Sequence, residues 1–232
     1  MGHWSCIRDG GCQHLKEFRL LTSLSIGDLC FIGDCGCQHL KDLRQFTGLR
    51  SCINSDIGED GCQHLKELRR LTSLNIGNNN DIREDGSQFL NELRQLRRIS
   101  IGAENEIGDG GSRHLKELGE FSSLGIGARS RIGAGRCQHV QEFRQLTSLS
   151  ICRGNSIGED GCQHLGELMQ LTSLIIGAAN EMGNDGCRHL KELWQLTCPS
   201  TGVASCIGAS GDHHLKGLGR CTSLSVGTRQ FF

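Results

Sequence analysis

The sequence lacks a charge excess of either sign, any apolar run of membrane-spanning length, and all proline but Pro199. Lysine and arginine number 25 against 26 aspartates and glutamates, so the basic footprint of a nucleic-acid binder is missing at whole-chain level. Without a run of about 20 apolar residues, the chain offers no transmembrane helix. The opening stretch MGHWSCIRDGG has no apolar h-region of a signal peptide, and Cys6 stands where a myristoylation site needs Ser or Thr. There is no nucleophile elbow and no phosphate loop, and the G-x-x-G of IGEDG is not a dinucleotide fingerprint. These absences argue for a soluble, cytoplasmic protein with no enzymatic activity and no cofactor, and with neither nucleic acid nor membrane as a partner.

What is present is a phrase, GCQHL, that recurs without slipping. Gly11, Gly36, Gly61, Gly86, Gly111, Gly161, Gly186 and Gly211 open equivalent units 25 residues or a multiple of 25 apart, and only the unit opening at Arg136 lacks the glycine. A period of this length marks a solenoid, whose units cannot bury their apolar side alone and must stack. The reading is one array over residues 1–232. No polar capping module stands at either end, so Trp4 and Phe231–Phe232 are expected to cover the edges, or the uncapped ends to stack end to end on other copies.

Within the unit from Gly61, the apolar residues Cys62, Leu65 and Leu68 are three apart, which predicts about two helical turns with Lys66, Glu67, Arg69 and Arg70 on a solvated outer face. Asp60 and Asp85 precede the unit glycines, where a carboxylate can cap free helix-start N–H groups. From Leu71 the rhythm changes. Leu74 and Ile76 alternate with Ser73 and Asn75, as in a short half-buried strand. Stacking then makes one core ladder of Ile7, Ile32, Ile57, Ile82, Ile107, Ile132, Ile157, Met182 and Ile207. A second holds Leu24, Leu49, Leu74, Ile99, Leu124, Leu149, Leu174, Pro199 and Leu224. Ser51 weakens the second unit's strand, and Pro199, which cannot donate to a ladder, is expected to break or distort the eighth.

The 14 cysteines would suit a disulfide scaffold, but Cys12, Cys37, Cys62, Cys137, Cys162 and Cys187 share one phase that Ser87 and Ser112 fill elsewhere. A phase that tolerates serine reads as a small buried side chain, so the cysteines are expected to be reduced. Two residues on runs a histidine ladder, from His14 and His39 to His189 and His214. Cys and His of one unit diverge by about 200° on a helix, so this C-x-H pattern reads as packing rather than as a metal site. The densest group, Cys30, Cys35, Cys37 and His39, has no standard zinc spacing.

The phrase LTSLNIGNNNDI resembles the conserved segment of a leucine-rich repeat, L-x-x-L-x-L-x-x-N/C-x-L, and the IGEDG stretch with its helix resembles the ribonuclease-inhibitor-like and cysteine-containing subclasses. The likeness runs over residues 7–232. It departs in one respect: Asn105, Asn155 and Asn180 sit nine residues after the unit's first strand-segment leucine, one later than usual. The resemblance implies an α/β solenoid of about nine units, curved, with a parallel sheet on the concave face and short helices on the convex face. It also implies that the strand positions between core leucines form a partner-binding surface. Those positions are mostly Thr and Ser, and Arg50, Asn75, Arg97, Arg98 and Ile175, with Arg129 and Arg153 just after the strands, break the uniformity. Arginine suits interface anchoring. The resulting reading is a non-enzymatic protein-recognition scaffold. The alternatives are a substrate-recognition part of a ubiquitin ligase and, third, a metal-binding or enzymatic protein.

Overall fold

The computed structural model describes residues 9–18, 20–27, 32–51, 54–116, 118, 121–130, 132–201, 209–216 and 225–226. Trp4, Phe231, Phe232, Ile7, Ile207, Leu224, Cys6 and Cys30 lie outside the described residues. The chain divides into two compact units, Met1–Leu118 and Gly119–Phe232.

In the first unit, helices α1 (Asp9–Leu15), α2 (Gly33–Leu40), α3 (Glu59–Leu65), α4 (Arg83–Leu90) and α5 (Gly108–Lys116) alternate with strands β1 (Ser23–Ser25), β2 (Gly48–Arg50), β3 (Ser73–Ile76) and β4 (Arg98–Ile101). The strands pair in parallel in chain order, with Leu24, Leu49, Leu74 and Ile99 in one register row. In the second unit, β5 (Ser123–Ile126), β6 (Ser148–Ile151), β7 (Ser173–Ile176), β8 (Cys198–Thr201) and β9 (Ser225–Val226) alternate with α6 (Ala134–Val140), α7 (Gly158–Gly166), α8 (Gly183–Leu190) and α9 (Ala209–Lys216). Pairing is again parallel and sequential. Each unit is therefore an α/β leucine-rich-repeat solenoid. The alternation expected of the strands is present: in β3, Leu74 and Ile76 are buried while Ser73 and Asn75 are half-exposed.

The helices are shorter than the three-residue spacing suggests. α3 ends at Leu65, and Leu68 and Leu71 follow in two tight turns in which Leu68 N–H donates to Leu65 C=O and Leu71 N–H to Leu68 C=O. Three residues per turn is the geometry of such i→i−3 bonds, so the spacing of Leu65, Leu68 and Leu71 encodes a tight staircase into the strand rather than a second α-helical turn. All three leucines are fully buried. Arg69 and Arg70 accordingly stand in the turn leading into β3, not on the outer face of a helix.

The helix starts are also capped differently from expectation. Gly58 and Ile82 occupy the N-cap positions without a side-chain bond, and Asp60 and Asp85 lie within the first turns. The cap comes from the neighbouring repeat: Asp34 Oδ1 accepts the N–H groups of Gly58 at 2.7 Å and Gly61 at 2.8 Å. Farther along, Asn184 Oδ1 accepts from Gly211 N–H at 3.0 Å. A carboxylate near helix-start amides satisfies orphan donors and complements the helix dipole.

The recurrent glycine has a steric cause. A Cβ at Gly161 would stand 2.5 Å from Ile157 Cγ2 and 3.2 Å from Cys137 Sγ, and one at Gly86 would meet Ile82 Cγ2 at 3.0 Å and Cys62 Sγ at 3.3 Å. Consecutive helices approach until glycine of one repeat rests on the cysteine of the repeat before.

The two weak strands behave differently from each other. β2 has three residues, and the fully buried Ser51 follows it, as expected. β8, by contrast, runs through Pro199, which pairs with Leu174. Its missing donor does no harm on that side. Amides two residues farther along the repeat face the following strand, as Ile26 N–H donating to Arg50 C=O and Ser51 N–H donating to Asn75 C=O show. By the two-residue alternation, the amide at Pro199 would also face β9 rather than β7. Among the described residues, β8 pairs with β9 through Ser200 and Thr201.

Candidate protein-binding surface

The face of each sheet turned away from the helices is built from the strand residues between the core positions. In the first unit the register sets Arg50 beside Asn75 and Ser100, and Ser73 beside Arg98, so these departures from serine share one face on adjoining strands. Arg50, Arg97 and Arg98 are exposed. Arg97 stands at the entry to β4, its N–H donating to Thr72 C=O and its Nη1 to Leu96 C=O at 3.3 Å. In the second unit Ile175 lies on β7 between Ser150 and Ser200 and keeps 44% of its surface exposed. Arg129 and Arg153, also exposed, occupy consecutive turns after the strands, joined by Arg129 N–H donating to Arg153 C=O at 3.1 Å. Of the seven expected residues, Arg50, Asn75, Arg97 and Arg98 lie in the first unit and Arg129, Arg153 and Ile175 in the second; the register places Arg50, Asn75 and Arg98 on one face, while Arg129 and Arg153 lie in turns and Ile175 on a strand.

The threonines expected on this surface have a structural task. Thr47 Oγ1 donates to Thr22 C=O at 3.2 Å and Thr72 Oγ1 to Thr47 C=O at 3.0 Å. In the second unit Thr147, Thr172 and Thr197 donate in the same way to the preceding repeat. Arg97 interrupts this hydroxyl ladder, exchanging an inter-repeat bond for an exposed guanidinium.

A second row escaped the sequence reading. Arg44, Arg69 and Arg94 occupy one phase of three consecutive repeats in the first unit, in the turn between helix and strand, and all are exposed. Arg69 and Arg94 have the same local backbone, each N–H reaching the carbonyl two residues back, at Glu67 and Glu92. In the second unit the same phase carries Arg144, Met169 and Trp194, with Met169 and Trp194 about half exposed. Tabulating the repeat phase by phase would have found the row; the assumed longer helix hid where it points.

At the other end of the first unit's strands, Asp34, Asp56, Glu59, Asp60, Asp81 and Asp85 line a hollow beside the helix starts. Two of its carboxylates are engaged locally: Asp34 caps α3, and Asp81 Oδ1 accepts from Arg83 Nε at 2.7 Å.

Among the described residues no group of three or more His, Cys, Asp or Glu side chains could hold a metal ion. Cys12, Cys37, Cys62, Cys137, Cys162 and Cys187 are fully buried, as a core phase should be. Burial pushes the Cys137 thiol up to about 12. It likewise raises Cys62, with Asp34 and Glu59 adding to the effect, and Cys162, helped by Cys137, Cys187 and Glu159. Such thiols are poor nucleophiles and poor metal ligands, because both roles need the thiolate. The histidines of the ladder flank the helices, half-buried from His39 onward and exposed at His14, and His164 Nδ1 lies 2.6 Å from Gln141 Oε1 of the preceding repeat. No helix among the described residues is long and apolar enough to cross a membrane.

No family model matches the chain, and no curated protein matches it in sequence. Its structure is similar to solved leucine-rich-repeat proteins of Listeria monocytogenes. One is the internalin inlF, with a TM-score of 0.54 and 17% identity, matching over 94% of this chain and 64% of that one. Another is internalin C2, with a TM-score of 0.63 and 17% identity over 94% of this chain and 83% of the other. The chain therefore spans less than two thirds of the first of these proteins, and at this identity the likeness is one of fold.

Proposed function

Taking the leucine-rich-repeat fold as the premise, we propose that this chain is a non-enzymatic scaffold that recognises another protein on the strand face away from its helices, the face this fold makes concave. The observation that carries the reading is the placement of Arg50, Asn75 and Arg98 on one face of adjoining strands, where the background is serine. Planar guanidinium groups on a small-residue surface provide directional anchors for carboxylates and backbone carbonyls. The buried, proton-holding cysteine phase favours a reducing, cytoplasmic setting, and the cysteine at that phase favours the cysteine-containing and ribonuclease-inhibitor-like subclasses.

Pull-down with quantitative mass spectrometry tests this. Arg97→Glu with Arg98→Glu should weaken capture of the partner at least tenfold, about 1.4 kcal/mol or more. Lys16→Glu, Lys66→Glu and Lys116→Glu together should change it far less, because these lysines belong to the helix side. The reverse pattern would move the site to the helix face and defeat the reading.

A further inference from the structure

From the arginine row in the first unit we infer the chemistry of the partner: an extended acidic polypeptide segment that lies across the turns entering β2, β3 and β4. The inference rests on the reading of the chain as a protein-recognition scaffold and names what that surface would take. Arg44, Arg69 and Arg94 recur at one phase of three stacked repeats, and Arg70, Arg97 and Arg98 adjoin them. Repeats stacked at the spacing of neighbouring strands, about 4.8 Å, spread this row over roughly 10 Å, the length of three extended residues. Arg44, Arg69, Arg70 and Arg98 have no ion-pair partner among the described residues, so their charge is directed at solvent.

Two features select a polypeptide over a uniform polyanion. Two residues before each row arginine stands a carboxylate, Asp42, Glu67 or Glu92. The lysine phase partly neutralises these acids, as Lys66 Nζ reaches Glu92 Oε1 at 3.4 Å across repeats. A nucleic acid or polyphosphate carries charge on every unit and would meet this acidic row in any register, whereas a polypeptide sets neutral residues against it. On the strands that follow, Ser73 pairs with Arg98 and Asn75 with Ser100, offering hydrogen-bonding groups to a backbone that continues onto that face. Carboxylates accept the arginine fork in bidentate geometry, which a lysine row could not reproduce.

Fluorescence anisotropy on the full chain tests the assignment with three labelled probes: a (Glu-Ser)6 peptide, a (Gln-Ser)6 peptide and a twelve-residue oligothymidylate. The expected result is binding of the Glu peptide that weakens with salt, little binding of the Gln peptide, and weaker binding of the oligonucleotide. Arg44→Gln, Arg69→Gln and Arg94→Gln together should lower Glu-peptide affinity at least tenfold with unchanged far-UV CD. Replacing the row by lysine should restore only part of it. Equal or tighter oligonucleotide binding overturns the inference, as does a folded glutamine variant that keeps its peptide affinity, or absence of peptide binding at low salt. These outcomes leave the pull-down test intact. A partner that depends on Arg97 and Arg98 while the Glu peptide ignores the row would preserve protein recognition and remove the acidic-segment assignment.

Discussion

Asn80, Asn105, Asn155 and Asn180 are buried side chains that bind the turn after each strand. Asn180 Nδ2 donates to Gly177 C=O at 2.7 Å within its own repeat and to Cys152 C=O at 3.0 Å in the one before, while its Oδ1 accepts Asn155 N–H at 2.9 Å. The sequence showed the asparagine one place late, yet the bonds form, because the chain around it takes left-handed steps at Ala179, Glu181 and Gly183. One such step falls on Arg83, with φ of 52°, where Gly33, Gly108, Gly158 and Gly183 have the same sign. A left-handed conformation strains a residue with a Cβ by about 1 kcal/mol. Its exposed ion pair with Asp81 returns little. Arg83→Gly should therefore raise the urea midpoint slightly, by up to about 0.5 kcal/mol of stability, once the entropy glycine adds to the unfolded chain is subtracted. The cysteines make the other prediction at this scale. Cys137 holds its proton to about 12 when folded, against about 8.5 for an ordinary thiol. Its folded pKa is the higher one, so its contribution is complete below pH ~8.5 and is lost as pH rises toward ~12. Urea midpoints at pH ~8 and pH ~10.5 should diverge more in the wild type than in Cys137→Ser, serine being the residue at Ser87 and Ser112. Iodoacetamide with peptide mapping should label the exposed Cys35 and Cys152 before Cys62, Cys137 and Cys162.

At the scale of the element, the contact between helices decides which substitutions the repeat tolerates. A methyl group at Gly161 has Ile157 on one side and the Cys137 sulfur on the other, both part of the packed core. Gly161→Ala should cost about 1–3 kcal/mol as an overpacking change, measured by chemical denaturation, although alanine is the better helix former. Ala there without a loss of stability would show that the helices can slide apart. The core phases were legible because an apolar residue recurs at each of them through most of the repeats: Leu65, Leu68, Leu71, Leu74 and Ile76 are all buried as their spacing indicated. Helix length was not, because a period of three fits an α-helical stripe and a tight turn equally well over so few residues. The same ambiguity concealed Arg69 and Arg94. The cross-repeat cap at Asp34 was invisible for another reason: its partners Gly58 and Gly61 are 24 and 27 residues away, and nothing local marks them.

For the molecule as a whole, stability in a stacked array is the sum of repeat and nearest-neighbour terms. Leu149 pairs with Leu124 and Leu174 and is fully buried, so Leu149→Ala should cost about 2–5 kcal/mol. Hydrogen exchange followed by mass spectrometry should rise first in β6 and in its partners β5 and β7, with β9 affected later or less. Uniform acceleration across the second unit would instead make that unit one cooperative block. The proposed partner surface was only partly legible from sequence. Arg50, Asn75 and Arg98 could be placed on one face from the strand rhythm alone, but the hydroxyl ladder of Thr47 and Thr72 could not, since its acceptors are backbone carbonyls of the repeat before.

The seat of each unit glycine on the preceding cysteine also governs how this gene can change length. If residues 61–85 are excised, Gly86 inherits the place of Gly61 and meets the Cys37 sulfur instead of that of Cys62, a like-for-like exchange. Excising 24 residues, 61–84, would instead bring Asp85 to the seat of Gly61 and leave that one repeat out of register with its neighbours. Whole-period gains and losses are thus the length variants the packing accepts, and alleles or relatives of this array should differ in steps of one complete repeat.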